Sequence, residues 1–436
     1  MHNVGALSGW ALIIITSIKI LIVFSTIMVT VALLTLAERR VSAWIQDRLG
    51  PNRVGPQGLL QPVADGIKNF IKEETYPAHA SRFYFVLAPA LAIVPALMTL
   101  AVVPIAAPLP TRWGLVEMIV ADVPIGILYI LALTGLGVYG IVMAGWSSNN
   151  KYSFLGGMRA GAQMVSYEVA MGLSLIPVFM LAGNVTLTQI VATQQGGVNG
   201  LGIWFALPLG LAFIIFLCAA FAETNRLPFD MAEAESELIA GFHSEYSSMK
   251  FSMFPISEYA GMLTASALMA TLFFGGWDIP GSFDNMRVVA PGVVEGAAPA
   301  WWKTLLTLGA FSIKTLFFCF VYIWVRWTVP RFRYDQIMDL GWKVLLPTAL
   351  AYIALMGTGI LVLDSMGVRY GLLYGLVLTA INIVATLIFL FVVDRGRVIK
   401  GSYGSRNIQE IRERIEENRE RELRTRREIP QGAGVL

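Results

Sequence analysis

Ile203–Tyr246 reads IWFALPLGLAFIIFLCAAFAETNRLPFDMAEAESELIAGFHSEY, an apolar run that ends abruptly in acid. Ile203–Ala222 has the length and character of a membrane span, which takes roughly 20 apolar residues. Ala222–Tyr246 then carries six carboxylates, Glu223, Asp230, Glu233, Glu235, Glu237 and Glu245, against a single arginine, Arg226. A second apolar run, Phe254–Gly275, follows. The acidity therefore meets a bilayer at both ends. Carboxylates at such a boundary have tunable proton affinity, which suits them to hold and pass protons.

Outward from this segment the same character continues. The 436 residues are 56% hydrophobic and 14% charged, whereas a soluble domain carries about 25% charged residues. Further apolar runs occur at Ala11–Leu36, Phe83–Ala106, Asp122–Ala144, Gly161–Ala182, Thr304–Trp324, Trp342–Leu363 and Gly371–Val393. The fold class is an all-α polytopic membrane protein with about nine transmembrane helices. Residues 1–393 form the membrane domain and residues 394–436 a charged cytoplasmic tail.

Loops assigned to the inner side, with Lys343 and the tail, hold 26 of the 32 Lys and Arg, and the outer loops hold four. That bias places the N-terminus outside and the tail in the cytoplasm. The net charge of +3 resides in the tail and is no nucleic-acid signal. Only Cys218 and Cys319 are present, too few to hold an iron–sulfur cluster. Any redox cofactor then belongs to a partner. Leu59–Glu74 (LLQPVADGIKNFIKEE) spaces its apolar residues as a helix, with Asp65 and Lys68 off that face. It is expected as an amphipathic helix lying in the interface, approached through the turn-rich GPNRVGPQG, Gly50–Gly58.

Two patterns are decoys. GLGVYG, Gly135–Gly140, matches a dinucleotide fingerprint but lies mid-span, where close helix packing is the better reading, as it is for Gly157 and Gly161. Asp230 and Glu233 fit the N-cap and N3 positions of a capping box that opens Met231–Ile239, and for these two a structural and a functional role both stand. Glu168 is sharper: in QMVSYE it falls about two turns inside a span, where a carboxylate is costly and function is the default expectation. A hydrogen bond to a neighbouring helix is the structural alternative. Glu258 follows the same logic, whereas Asp122 reads as an N-cap. Lys19 and Lys314 are expected to snorkel outward. Arg39, Arg40, Arg48 and Arg53 are either positive-inside anchors or, with Glu38 and Asp65, a polar mouth for an amphiphilic ligand.

Six ordered segments carry a resemblance: ERR (Glu38–Arg40), GPNRVGP (Gly50–Pro56), LQPVADGIK (Leu60–Lys68), Gly145–Glu168, Ala222–Tyr246, and PRFRYDQIM (Pro330–Met338) followed by GWKVLLP (Gly341–Pro347). They resemble the H subunit of NADH–quinone oxidoreductase, the respiratory complex I component whose mitochondrial counterpart is ND-one. The resemblance runs from about Lys19 to Pro347 and implies a membrane-arm subunit that forms most of the quinone-access chamber. By motif, Glu38, Arg39, Arg48 and Asp65 would line that chamber, with Glu223, Arg226, Glu233, Glu235 and Glu237 beside it. Glu168, Glu223 and Glu258 would form the proton path.

The same resemblance implies quinone (such as ubiquinone) as substrate and no covalently bound cofactor. FMN, iron–sulfur clusters and NADH oxidation would lie on peripheral-arm subunits, and other membrane-arm subunits would flank the chain in the cell inner membrane. The ninth run and the tail exceed the eight spans of the family core. An equivalent component of a complex fed by reduced deazaflavin or ferredoxin is the near alternative. An autonomous transporter would show repeats and broken helices near the midplane, and no repeat is visible. A mere scaffold leaves Glu168 and Glu258 unexplained.

Overall fold

A backbone removed from water must satisfy its own N–H and C=O groups, and each of the nine apolar runs is helical over all or part of its length. The computed structural model describes residues 2–3, 9–195, 201–230, 241–279, 286–290, 293–296, 298–368 and 370–394. In chain order the helices are α1 (Gly9–Ile45), α2 (Gln61–Ile71), α3 (Arg82–Met98), α4 (Gly126–Ser147), α5 (Lys151–Ala182), α6 (Leu187–Gln194), α7 (Gly210–Glu223), α8 (Ser248–Phe273), α9 (Trp301–Thr328), α10 (Tyr334–Asp339), α11 (Leu346–Ser365) and α12 (Leu372–Asp394). A π-helical stretch, Leu340–Leu345, makes α10 and α11 one continuous rod. Among the described residues, seven helical stretches are long and apolar enough to cross a membrane. The two apolar runs outside those seven are α7 and α8.

Their exclusion has physical causes. Helix α7, which forms on the Ile203–Ala222 run and ends at Glu223, has only 14 residues, about 21 Å of helix and short of the ~30 Å hydrocarbon core. Pro208 lacks an amide hydrogen and disfavours helical geometry at Leu207, so the chain before Gly210 makes turns instead. Helix α8 is long enough but rich in serine, threonine and Glu258, and most of its second half is buried against other helices.

The chain forms two compact units, Met1–Leu387 and Ile388–Leu436. In the first, α3, α4, α5 and α7 pack in succession, α8 lies against α3 and α9, and α11 lies against α5. In the second, the described residues are the last ones of α12, and the helix expected over Asn407–Glu428 lies outside the described residues.

Close approach of α3, α4 and α5 uses the decoy glycines. A Cβ on Gly140 would stand 2.8 Å from the Ala92 nitrogen and 2.9 Å from the Ala88 oxygen, both backbone atoms of α3. One on Gly161 would stand 2.6 Å from Val142. Phe85 of α3 stacks on Tyr246 with ring centroids 4.0 Å apart. The end of the acidic segment is thus core: Phe242 and Tyr246 are buried, and burial pushes the Tyr246 phenol up to about 12.

Three expectations are corrected. Asp122 does not cap α4, whose N-cap is Ile125; it accepts a hydrogen bond from the Thr188 hydroxyl at 3.0 Å. Lys19 does not run out to solvent but donates to the Ile119 carbonyl at 2.9 Å. Lys314 donates to the carbonyls of Phe274 (2.7 Å), Gly276 (3.0 Å) and Asp278 (2.6 Å). An ammonium has three N–H groups, and each finds a carbonyl just past the end of α8. Hydropathy also leaves the loops opposite the basic ones blank, yet they contain a hairpin, Ala106–Thr111 with Gly114–Met118, and a small sheet of His2–Asn3, Val293–Gly296 and Met286–Ala290.

The glycine packing is testable by a matched pair. Gly140→Ala should lower the stability of the purified protein by about 1–3 kcal/mol through overpacking, whereas Gly137→Ala, where a Cβ meets nothing within 4 Å, should be neutral or slightly stabilising. Thermal unfolding in detergent, with both variants compared to the unmodified chain, reads the difference.

Candidate functional site

The site starts with α2. Its apolar residues Val63, Ile67, Phe70 and Ile71, and Leu59 and Leu60 ahead of them, are exposed, as an interfacial helix requires. Gly58, at φ +78°, turns the approach so tightly that a Cβ would lie 2.1 Å from the Pro51 oxygen. The far end is tied down by Ser248, whose hydroxyl lies 2.8 Å from the Asn69 carbonyl and 2.9 Å from that of Lys72. On the linker beyond, Glu74 pairs with Lys250 at 2.8 Å.

Between the polar side of α2, the end of α1 and the start of α8 lies a chamber of about 700 Å³. Glu38, Arg39, Arg48 and Asp65 all line it, together with Tyr259, Arg326 and Trp327. Asp65 pairs with Arg39 at 2.7 Å and accepts more weakly from Gln61 and Lys68. Arg48 is held by Gln46 at 2.7 Å. The chamber therefore combines apolar wall positions such as Met28, Val31 and Phe70 with a fixed set of charges.

Its most tightly held group is Glu38, 6% exposed. One oxygen accepts from Arg226 (3.1 Å) and the Tyr259 hydroxyl (2.7 Å); the other accepts from Arg326. The Arg226 guanidinium also stacks over the Tyr259 ring, 4.1 Å from its centre. A carboxylate buried beside two arginines is tolerable because each charge is paired and hydrogen-bonded.

Behind this cluster is a second hollow of about 100 Å³, lined by Thr134, Glu223, Thr224, Asn225, Ser257, Glu258 and apolar neighbours. Neighbouring residues face the two hollows: Glu258 lines the inner one and Tyr259 the chamber, while Asn225 lines the inner one and Arg226 grips Glu38. Glu223 and Thr134 line the same hollow, and Glu223 lies within the field of Glu168. Glu168 sits beside the inner hollow on α5, where a Cβ on Gly135 of α4 would come within 3.0 Å of its carboxylate. Gln163 of α5 braces the turn after α7, its amide donating to the carbonyls of Ala222 (2.9 Å) and Phe229 (2.8 Å).

The structure thus brings Glu38, Arg39, Arg48 and Asp65 into one chamber and Glu223 and Glu258 into the lining of a neighbouring hollow, with Arg226 between and Glu168 against Gly135 of α4. Glu233, Glu235 and Glu237 lie outside the described residues, as does most of the expected capping box. Asp230 pairs with Arg331 at 3.2 Å, and Glu245 accepts from Asn150 at 2.7 Å, so these two carboxylates serve the fold. Tyr259 and Arg326 escape the sequence reading. Tyr259 directly follows Glu258, which is a usable signal; Arg326 counts there only as an inner-side cation.

Residues 18–357 match the NADH dehydrogenase protein family. The chain belongs to that family. Relatives sharpen the assignment: it is 47% identical over 350 residues to the NADH-quinone oxidoreductase H subunit of Leptospira biflexa serovar Patoc, covering 78% of this chain and 93% of that protein. Against the first of the numbered NADH-quinone oxidoreductase H subunits of Geobacter metallireducens it is 48% identical over 339 residues, 78% of this chain and 94% of the relative. Against NADH-quinone oxidoreductase subunit 8 of Rhodothermus marinus it is 46% identical over 345 residues, 79% and 97%. It is a multi-pass membrane member of this family of complex I components.

The chamber wall can be probed in two ways. Glu38→Ala leaves buried Arg226 and half-buried Arg326 facing each other without their counter-charge and should cost about 3–5 kcal/mol, while Glu38→Gln, which keeps one acceptor oxygen, should cost less; chemical denaturation of the purified protein distinguishes them. Separately, the Lys250 hydrogen bond holds Glu74 below the ordinary carboxylate range of 4.5. A depressed carboxyl adds stability above its unfolded value and loses it as pH falls. Limited proteolysis of residues 72–77 should therefore accelerate near pH ~4, and Lys250→Met should erase the pH difference.

Proposed function

We propose that this chain is the quinone-chamber and proton-coupling subunit of a proton-pumping NADH:quinone oxidoreductase. The reading rests on the 700 Å³ chamber, floored by an interfacial helix and ringed by Glu38, Arg39, Arg48 and Asp65, standing one residue away from a carboxylate-lined hollow. A quinone has an apolar tail and a polar ring that gains charge on reduction. The exposed apolar side of α2 suits the first and the paired cations suit the second.

The chemistry this chain contributes is electrostatic. Arg39 and Arg48 orient a polar head at the mouth, and Asp65 keeps Arg39 in place. Negative charge developing in the chamber competes for Arg226 and Arg326, which otherwise neutralise Glu38. Loosening Arg226 changes the field at Glu258, with which it interacts. Like charges oppose one another's ionisation, so a change at Glu223 is felt at Glu168, with which it interacts, and these two carboxylates respond as a coupled pair. Protons then move from the inner hollow towards α5.

NADH oxidation, FMN and iron–sulfur clusters are assigned to peripheral-arm partners, and further membrane-arm subunits continue the proton path. The chain would lie in the cell inner membrane with its N-terminus outside and its tail cytoplasmic. No complete active site is assigned to this chain alone.

Glu168→Gln tests the coupling. In the intact complex it should reduce coupled quinone reductase activity by on the order of 10²-fold, the scale of a positioned proton-transfer group, with assembly unchanged. Normal activity in the assembled variant removes Glu168 from the path.

A further inference from the structure

The first turn of any helix leaves N–H groups without intrahelical partners, and in an apolar setting they must be capped. Helix α7 has an acute form of this problem. It begins at Gly210 after a non-helical approach, and its own N-cap residue, Leu209, offers no side-chain cap. The partner comes from a distant part of the chain. Asn382 of α12 accepts from the Leu211 N–H at 3.1 Å, and its amide nitrogen donates to the Leu207 carbonyl at 2.9 Å. The Tyr352 hydroxyl of α11 donates to the same Asn382 oxygen at 2.9 Å.

This contact is built closely. Asn382 is 5% exposed although it sits on a largely exposed helix. A Cβ on Gly210 would stand 2.9 Å from the Asn382 amide nitrogen, so a larger residue there would push the amide aside. Earlier on α12, a Cβ on Gly375 would meet Leu201 and Ile203 at 3.1–3.3 Å. Helix α12 also lies beyond the family match, which ends at residue 357.

We propose that α12 acts through Asn382 as an external N-cap for α7, and so sets the axial position of the helix whose opposite end carries Glu223 and leads to Arg226. Asn382 is then a positioning residue for proton coupling, an inference whose functional half rests on the coupling role assigned above. Its lever is the length of α7: 14 residues, held at one end by Asn382 and at the other by Gln163. Without the first hold the short helix frays at its start and its carboxylate end loses registry with Glu258.

The test uses the intact complex with Asn382→Leu, which keeps the branching at Cγ and removes all three side-chain hydrogen bonds. Hydrogen exchange at Leu211–Phe213 should become about five- to tenfold faster, the scale of a lost cap. Activity per assembled complex should fall severalfold in kcat, with the quinone KM unchanged because the chamber is untouched. Gly210→Ala, which drives the amide aside while leaving Asn382 in place, should produce the same pair of changes. Unchanged exchange in both variants overturns the cap. Faster exchange with normal kcat overturns the positioning role, provided Glu168→Gln measured in parallel is impaired. If Glu168→Gln is also normal, the coupling reading is what fails, and the faster exchange still supports the cap.

Discussion

Glu38 is the point on which the rest of the structure turns. A carboxylate at the inner end of α1 is gripped by Arg226 from the turn after α7, by Tyr259 from α8 and by Arg326 from the last turn of α9. Four segments separated by up to 288 positions meet there. Burying one charge among hydrocarbon helices is costly, and burying Glu38 and Arg226 with Arg326 half-buried beside them is sustainable only when they neutralise one another in good geometry. That constraint fixes where α1 can lie against α8 and α9, and so fixes the width of the chamber that α1 and α2 enclose. The same residues form the partition behind which Glu223 and Glu258 sit.

Much of this is legible in the amino-acid order alone. Hydropathy locates the nine helical runs because a bilayer leaves the backbone no alternative, and the 3.6-residue spacing of Leu59–Glu74 exposes the interfacial helix. Motif position places Glu38, Arg39, Arg48 and Asp65 together, and all four line one chamber. The misreadings share a cause. Depth along a helix is a poor guide to Asp122, Lys19 and Lys314, whose roles depend on carbonyls and hydroxyls brought alongside by other segments. The truncated α7 is hidden because twenty apolar residues satisfy a composition rule even when Pro208 breaks the backbone pattern.

The acidic segment shows how composition overstates unity. Six carboxylates in twenty-five residues look like one cluster, but the fold disperses them. Asp230 is used against Arg331 and Glu245 against Asn150, both as structural ties, while Glu223 alone of the described members borders the inner hollow. Spacing in a loop carries no information about which way each side chain turns. In a helix it does, so the depth of Glu168 and Glu258 along α5 and α8 follows from position alone.

The exposed apolar face of α2 has a material consequence. Val63, Ile67, Phe70 and Ile71 are exposed in the described structure, so the helix that floors the chamber takes part of its support from acyl chains. Lipid is then a structural component of the mouth, much as a keel needs water to hold a course. Surfactants with short or bulky tails would leave the floor free to tilt even though every helix of the bundle stays folded. The width of the opening thus becomes a property shared between polypeptide and membrane, and reconstitution into bilayers of different thickness changes the aperture itself.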